Sequence, residues 1–205
     1  MAEAGLAPDK KGALKRGAWI VFLDESGFSQ RPPVRATWAP RGQTPLLIEH
    51  CNWKRLSAIG ALAWRPSAAW TRLFLSMRKK SIQQPEVIEF LRSLRRHLRG
   101  PVVLVWDRLS SHRGGLVQSY LASQSHWLTV EYLPPYAPEL NPVEQLWANL
   151  DARELVHYSP DDLDDLECRL ECGKRRIRRT DLGLGFIKHS TLLTQRQFNL
   201  LFKHH

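Results

Sequence analysis

The chain has 205 residues, 43% of them hydrophobic and eight of them Trp, and a formal charge of +10 from Lys+Arg 30 against Asp+Glu 20. That is enough for one domain with a buried core, or one domain and a helical tail, and its positive field favours polyanions, nucleic acid before anionic membrane. No apolar run is long enough to span a bilayer, and Met1–Arg16 is too charged for a secretory signal, so a soluble intracellular protein is expected.

Residues 1–16 read as a flexible leader. Trp19-Ile20-Val21-Phe22-Leu23 is a short β-branched and aromatic run closed by Asp24-Glu25-Ser26-Gly27, which predicts a buried strand ending at the acids. Gln30–Pro45 is broken by Pro32, Pro33, Pro40, Gly42 and Pro45, and predicts hairpin-like or irregular structure. Leu56–Trp64 and Trp70–Met77 predict two more strands, joined by turn chemistry at Arg65-Pro66-Ser67.

The period then changes. Val87, Phe90, Leu91, Leu94 and Leu98 predict an amphipathic helix over Ser81–Leu98, ended by Gly100-Pro101. Val102–Trp106 is wholly apolar, as in a strand covered on both faces. Leu116–Ser123 predicts a helix, Leu128–Leu133 a strand and Pro142–Val156 a helix. A last helix is expected to start at Ser159 as cap and Pro160 in first position, acidic at its start and basic at its end. Cys51, Cys168 and Cys172 are too few and too uneven for a disulfide framework. Cys168 and Cys172 would share a helix face, but no Cys-x-x-Cys or His pair completes a zinc site, and packed or free thiols are expected.

This order predicts an α/β mixed sheet, antiparallel at its opening and parallel in its continuation, flanked by helices. Such sheets carry functional residues at strand ends. Asp24 and Asp107 each follow an apolar strand, and Glu144 lies in the first turn of the helix after Leu133–Asn141. Two buried carboxylates brought together by neighbouring strands call for a cation. Mg²⁺ or Mn²⁺ suits such hard oxygen ligands, and two such ions support in-line phosphodiester displacement. Each acid also has a structural role open to it: turn residue for Asp24, loop aspartate for Asp107, and capping-box glutamate behind Asn141 and Pro142 for Glu144. His112, five residues after Asp107, could contact a phosphate or water near the metals, or cap a helix. A serine-hydrolase reading of Ser110-Ser111-His112 lacks the Gly-x-Ser-x-Gly elbow.

Four blocks carry a family resemblance: Asp24-Glu25-Ser26-Gly27-Phe28, Trp38–Pro45, Trp106-Asp107 with His112, and Tyr136-Ala137-Pro138-Glu139-Leu140-Asn141-Pro142-Val143-Glu144-Gln145-Leu146-Trp147. Together they resemble the DDE catalytic domain of mariner-related bacterial insertion-sequence transposases, from about Trp19 to Leu155. The last block is the most specific. The resemblance implies a ribonuclease H-like fold over 17–157, with 158–205 as a C-terminal helical extension. It implies two Mg²⁺ (or Mn²⁺) ions on Asp24, Asp107 and Glu144 with His112 nearby, and cleavage and strand transfer of double-stranded DNA at element ends. A cytoplasmic, nucleoid-associated protein follows.

Two departures stand out. Arg108 occupies a position where the family usually has Asn, and can pair with Asp107 or clamp a phosphate. Only 23 residues precede Asp24, so a separate helix-turn-helix subunit is expected to read the element ends, and family likeness suggests a homodimer. Basic residues placed to follow the DNA backbone are Arg41, Arg78, Lys79, Lys80, Arg108, Arg175 and Arg176. Two alternatives stay open: a non-catalytic DNA-binding remnant, and a ribonuclease H-like nuclease without strand transfer.

Overall fold

The computed structural model describes residues 17–190 except 32, 34, 37, 45, 47–52, 67–69, 108 and 135–137. The leader 1–16, Cys51, Arg108, part of the loop before Glu144 and the end of the helical extension therefore lie outside the described residues.

The first strand is longer than the apolar run that announces it. β1 spans Trp19–Ser29, and β2 (Arg55–Arg65) pairs with it antiparallel from Ile20↔Trp64 to Ser29↔Arg55. Asp24-Glu25-Ser26-Gly27 is thus strand and not turn. Two eleven-residue arms in continuous register take up backbone groups that a turn would have left to solvent. β3 (Trp70–Arg78) continues the antiparallel part beside β2.

Helix α1 (Gln84–His97) then carries the chain across one face to β4 (Val102–Trp106), which lies parallel to β1. The short α2 (Ser110–Arg113) and α3 (Gly115–Ser123) lead to β5 (Leu128–Tyr132), parallel to β4. The strand order is β3-β2-β1-β4-β5, a ribonuclease H-like mixed sheet. Beyond it, a 3₁₀ turn (Pro138–Leu140) precedes α4 (Pro142–Leu150), which runs on as a π-helical turn over Asp151–Leu155. α5 (Leu163–Arg178) and α6 (Leu182–His189) follow.

Alternation along β1 sorts its side chains into two cores. Trp19, Val21 and Leu23 pack with Val87, Leu91 and Leu94 of α1 and Val117 of α3. Ile20 and Phe22 pack with Val143, Leu146 and Leu150 of α4, Leu166 and Leu170 of α5, and Phe186 of α6. With both faces covered, β1 and β4 have no need of a polar side, which is why each reads as an unbroken apolar run. Asp24, continuing the even-numbered row, falls on the α4 face.

One helix start departs from expectation. α5 is capped by Asp162, whose Oδ1 accepts from the amides of Asp164 and Asp165 at 2.8 Å each. Ser159 and Pro160 stay outside because Asp165 holds the approach segment through the Tyr158 hydroxyl at 2.6 Å and the Asp161 amide at 3.1 Å. Among the described residues, no helix is long and apolar enough to cross a membrane.

Candidate carboxylate site

The parallel pairing of β1 and β4 sets Trp19 opposite Val102 and Phe22 opposite Val105. The pairing stops two residues short of Asp24 on β1 and of Asp107, which follows the last residue of β4. Asp24 lies on the side covered by α4, and β1 itself continues along β2.

Asp24 is buried and held from above. Trp147, on α4, donates its indole Nε1–H to Asp24 Oδ2 at 2.8 Å. The indole approaches closely because Asp24's cross-strand partner is Gly60: a Cβ there would stand 2.5 Å from Trp147 Cη2. Phe28 closes the other side edge-on, its ring centroid 5.8 Å from that of Trp147.

Glu144 is one turn N-terminal of Trp147 on the same helix, and its capping role does not materialise. Asn141 caps α4 by accepting from the Val143 amide at 3.2 Å. The Asn141 amide, which a capping-box glutamate would accept from, donates instead to Pro138 O at 2.8 Å. The 3₁₀ turn thus releases Glu144 from helix capping.

His112 stands behind Asp107. Its side chain has no exposed surface, and its ring stacks on Trp106 at 4.1 Å between centroids and 3° between planes. Nδ1 lies 2.9 Å from Asp107 Oδ1, and Nε2 lies 3.0 Å from Glu25 Oε1. Asp107 Oδ1 also accepts from the Leu109 amide at 3.1 Å. His112 thus spans Glu25 and Asp107 instead of capping the helix that follows it.

The two aspartates are in opposite electrostatic states. Burial lifts Asp24 to about 7; the Trp147 bond and the Glu25 amide pull it down, and the charges of Glu144 and Asp107 push it further up. Burial would raise Asp107 as well, but the His112 and Leu109 hydrogen bonds outweigh it and hold the carboxyl below its usual range. His112 is pushed up to about 9, the burial that would lower it being overcome by Asp107 and Glu25. Glu144 is raised by burial and by Asp107. Asp24, Asp107 and Glu144 are thus electrostatically linked, and their oxygens are of the kind a hard divalent cation takes. Among the described residues, no three Asp, Glu, His or Cys side chains stand grouped closely enough to hold a metal ion as they are.

The basic candidates are scattered. Arg41 is exposed in the β1–β2 connection. At the end of β3, Arg78 pairs with Glu89 at 3.1 Å and Lys79 with Asp164 at 2.5 Å, while Lys80 is exposed. Arg176 is committed inside the fold, to Glu154 at 2.8 Å and Asn149 Oδ1 at 2.7 Å. Arg175 lies on the exposed side of α5 and donates to the Cys172 sulfur at 3.1 Å; both Cys172 and Cys168 are free thiols. Glu25, Gly60 and Trp106 escaped the sequence reading as parts of the site. Glu25, Trp106 and Trp147 each stand in a block that carries the family resemblance, a signal that could have found them, whereas Gly60 stands in none.

Fold and site together define a ribonuclease H-like domain with Asp24, Asp107 and Glu144 near one end of its parallel strands. Residues 19–167 match the family model described as DDE superfamily endonuclease, and the chain belongs to that family. Among solved structures, the chain is similar to Mos1 transposase in a paired-end complex with the left transposon end: TM-score 0.61, 18% identity, 94% of this chain and 59% of that chain covered. A Mos1 mariner paired-end complex with Mn aligns with TM-score 0.58 and 18% identity over 93% of this chain and 56% of that one. The isolated catalytic domain of Mos1 mariner transposase gives 0.53 and 15% over 90% and 81%. The chain thus spans under three fifths of the length of the Mos1 chains in the DNA complexes. No curated protein matches the sequence.

Proposed function

We propose that the chain is the catalytic part of a transposase of the mariner-related bacterial insertion-sequence type, cutting and joining DNA with divalent metal ions. The observation that supports this reading is the parallel β1–β4 pairing, which runs to Phe22↔Val105, two residues short of Asp24 and of Asp107, beside the helix that bears Glu144. Membership of the DDE superfamily endonuclease family and the Mos1 likeness support it.

In this proposal Asp24, Asp107 and Glu144 hold two Mg²⁺ or Mn²⁺ ions, a choice the Mn-containing Mos1 complex favours. When bound, such a pair activates an attacking hydroxyl and stabilises the leaving oxygen. The protein's own part is to aim the ligands. Trp147 fixes Asp24 by occupying Oδ2, and His112 fixes Asp107 by occupying Oδ1. His112 is a positioning residue here, backed by Glu25 and clamped flat by Trp106. Arg108 is well placed in sequence to steady a phosphate beside Asp107.

The partner is double-stranded DNA, element ends and target, with a separate helix-turn-helix subunit reading the ends and a second copy of the chain joining them. Residues 17–157 form the catalytic domain and 158–205 its extension, in a cytoplasmic protein associated with the nucleoid. The test is incubation of purified protein with Mn²⁺ and linear DNA carrying the element's ends. Nicked and joined products are expected, and both should vanish in Glu144→Gln with the fold intact. Nicking without joining would leave a plain nuclease, and binding alone would leave a non-catalytic remnant.

A further inference from the structure

The end of the sheet opposite the carboxylates has a chemistry of its own. Four pieces of chain meet there: the start of β1, the β2–β3 turn, the last turns of α1 and the α3–β5 loop. Aspartate and glutamate are absent from 50–85, 90–106 and 108–130, the stretches that supply all of these but the start of β1. Arginine is frequent: Arg72, Arg92, Arg95, Arg96 and Arg99 are exposed, and Arg65 is half-buried.

These guanidiniums are held in place. Arg65 and Arg72 both lie over the Trp19 ring, at 5.8 and 5.5 Å from its centroid. Arg95 lies 4.9 Å over Trp127, and Arg92 lies 5.6 Å over Tyr120. Arg72 also donates to His97 O at 2.9 Å, and Trp19 Nε1 donates to Arg99 O at 3.2 Å, tying β1, β3 and α1 together. Aromatic stacking orders arginines without neutralising them. Arg65 Nε is buried with no acceptor among the described residues. The groove along β3 that Arg72 and Arg96 line also carries Asp181, and Glu86 and Glu89 of the first turns of α1.

An acid-poor surface of pre-ordered guanidiniums is built for an anion with many oxygens. We propose that this arginine end docks the sugar–phosphate backbone of duplex DNA, on a segment other than the one offered to the carboxylates. Trp19 and Asp24 are five residues apart on β1, about 17 Å at the rise of an extended strand, so no side chain here reaches the reacting phosphate. Trp19, Tyr120 and Trp127 carry guanidiniums already, and exposed Trp70 by itself is no run of platforms for successive unstacked bases, which favours backbone contact over single-strand binding. Such contacts position a duplex without reading it. The identity of the polyanion rests on the function proposed above.

The experiment measures duplex affinity in EDTA against salt, so that it is independent of cleavage. The variant combines Arg95→Gln, Arg96→Gln and Arg99→Gln, and circular dichroism verifies its fold. Loss of three phosphate contacts should flatten the slope of log affinity on log salt by about two to three and weaken binding at least about tenfold. A variant with Lys at the same three positions keeps the charge and should recover most of the slope. An unchanged slope in the Gln variant overturns the proposal. So does arginine-dependent binding of single-stranded RNA, or of vesicles containing phosphatidylserine, that is tighter than binding of the duplex. A wild-type protein that never cuts DNA but shows the slope change would sink the transposase reading and leave this surface standing.

Discussion

Asp24 and Asp107 stand side by side, yet the fold treats them in opposite ways. Asp24 lies within a strand, buried, with an indole as its one side-chain donor, and its proton affinity is raised. Asp107 lies just past a strand end, bonded to an imidazole and an amide, and its proton affinity is lowered. The difference teaches where the cost of gathering acids is carried. Asp107 is prepared as an anion by His112, whereas burial keeps Asp24 protonated up to about 7.

The largest test of this contrast removes the imidazole. His112→Ala opens a cavity against Trp106 and leaves both Glu25 and Asp107 without their shared partner. A loss of about 3 kcal/mol is expected, on the order of 8 °C in melting temperature, together with a large fall in Mn²⁺-dependent nicking. A melting temperature within a degree or two of wild type would show that the network carries no stability.

The aspartates themselves should then part company in sign. Asp24→Asn removes a buried charge while Trp147 keeps an acceptor, so the metal-free protein should gain about 1–2 kcal/mol near pH 8. Asp107→Asn deprives a charged imidazole of a partner and should cost about 1 kcal/mol, a modest figure because the carboxyl is partly exposed. Both should abolish nicking. Equal stability changes of the same sign would erase the comparison.

pH sharpens it further. Asp24 holds its proton up to about 7 in the fold against 3.8 as its reference, so the folded state carries the extra proton between those values. Stability therefore falls as pH rises through that window. His112 keeps its proton up to about 9, against a reference of 6.5; its contribution is complete below 6.5 and lost as pH rises through 9. Asp107 contributes above its reference of 3.8 and loses that only in stronger acid. The metal-free protein should melt higher at pH 5 than at pH 8, and Mn²⁺ should raise the melting temperature more at pH 8 than at pH 5. A metal-free protein more stable at pH 8 contradicts the assignment.

How much of this was legible in the residues follows the same divide. Val102–Trp106 and Asp107 were readable because a short apolar strand and its first polar residue are neighbours in sequence. The succession of elements, and with it a sheet antiparallel at its opening and parallel in its continuation, followed from the alternation of helical and extended periods. The extension of β1 through Gly27 was not, because Asp-Glu-Ser-Gly has turn composition and only the distant partner β2 makes it a strand. Nor was the Trp147–Gly60–Asp24 contact, which joins residues 123 and 36 positions apart from Asp24 through packing that no local spacing encodes. Glu144 shows the limit most sharply: Asn141-Pro142 and a third-position glutamate spell a capping box, and only the bond from the Asn141 amide to Pro138 O dissolves it.

That last point gives the smallest expected effect on stability. If Glu144 capped α4, Glu144→Ala would cost on the order of 1 kcal/mol. Because Asn141 and the 3₁₀ turn already satisfy the helix start, Glu144→Gln and Glu144→Ala should each stay within about 0.5 kcal/mol of wild type in metal-free urea unfolding. Removing a charge that burial and Asp107 both disfavour can even tip the balance to slight stabilisation. Glu144 would then resemble Asp24 in kind: a carboxylate that the folded chain tolerates and does not use, waiting on a cation. A cost above about 1 kcal/mol for Ala that Gln restores would instead return Glu144 to the helix and leave Asp24 alone as the acid whose charge the fold does not itself satisfy.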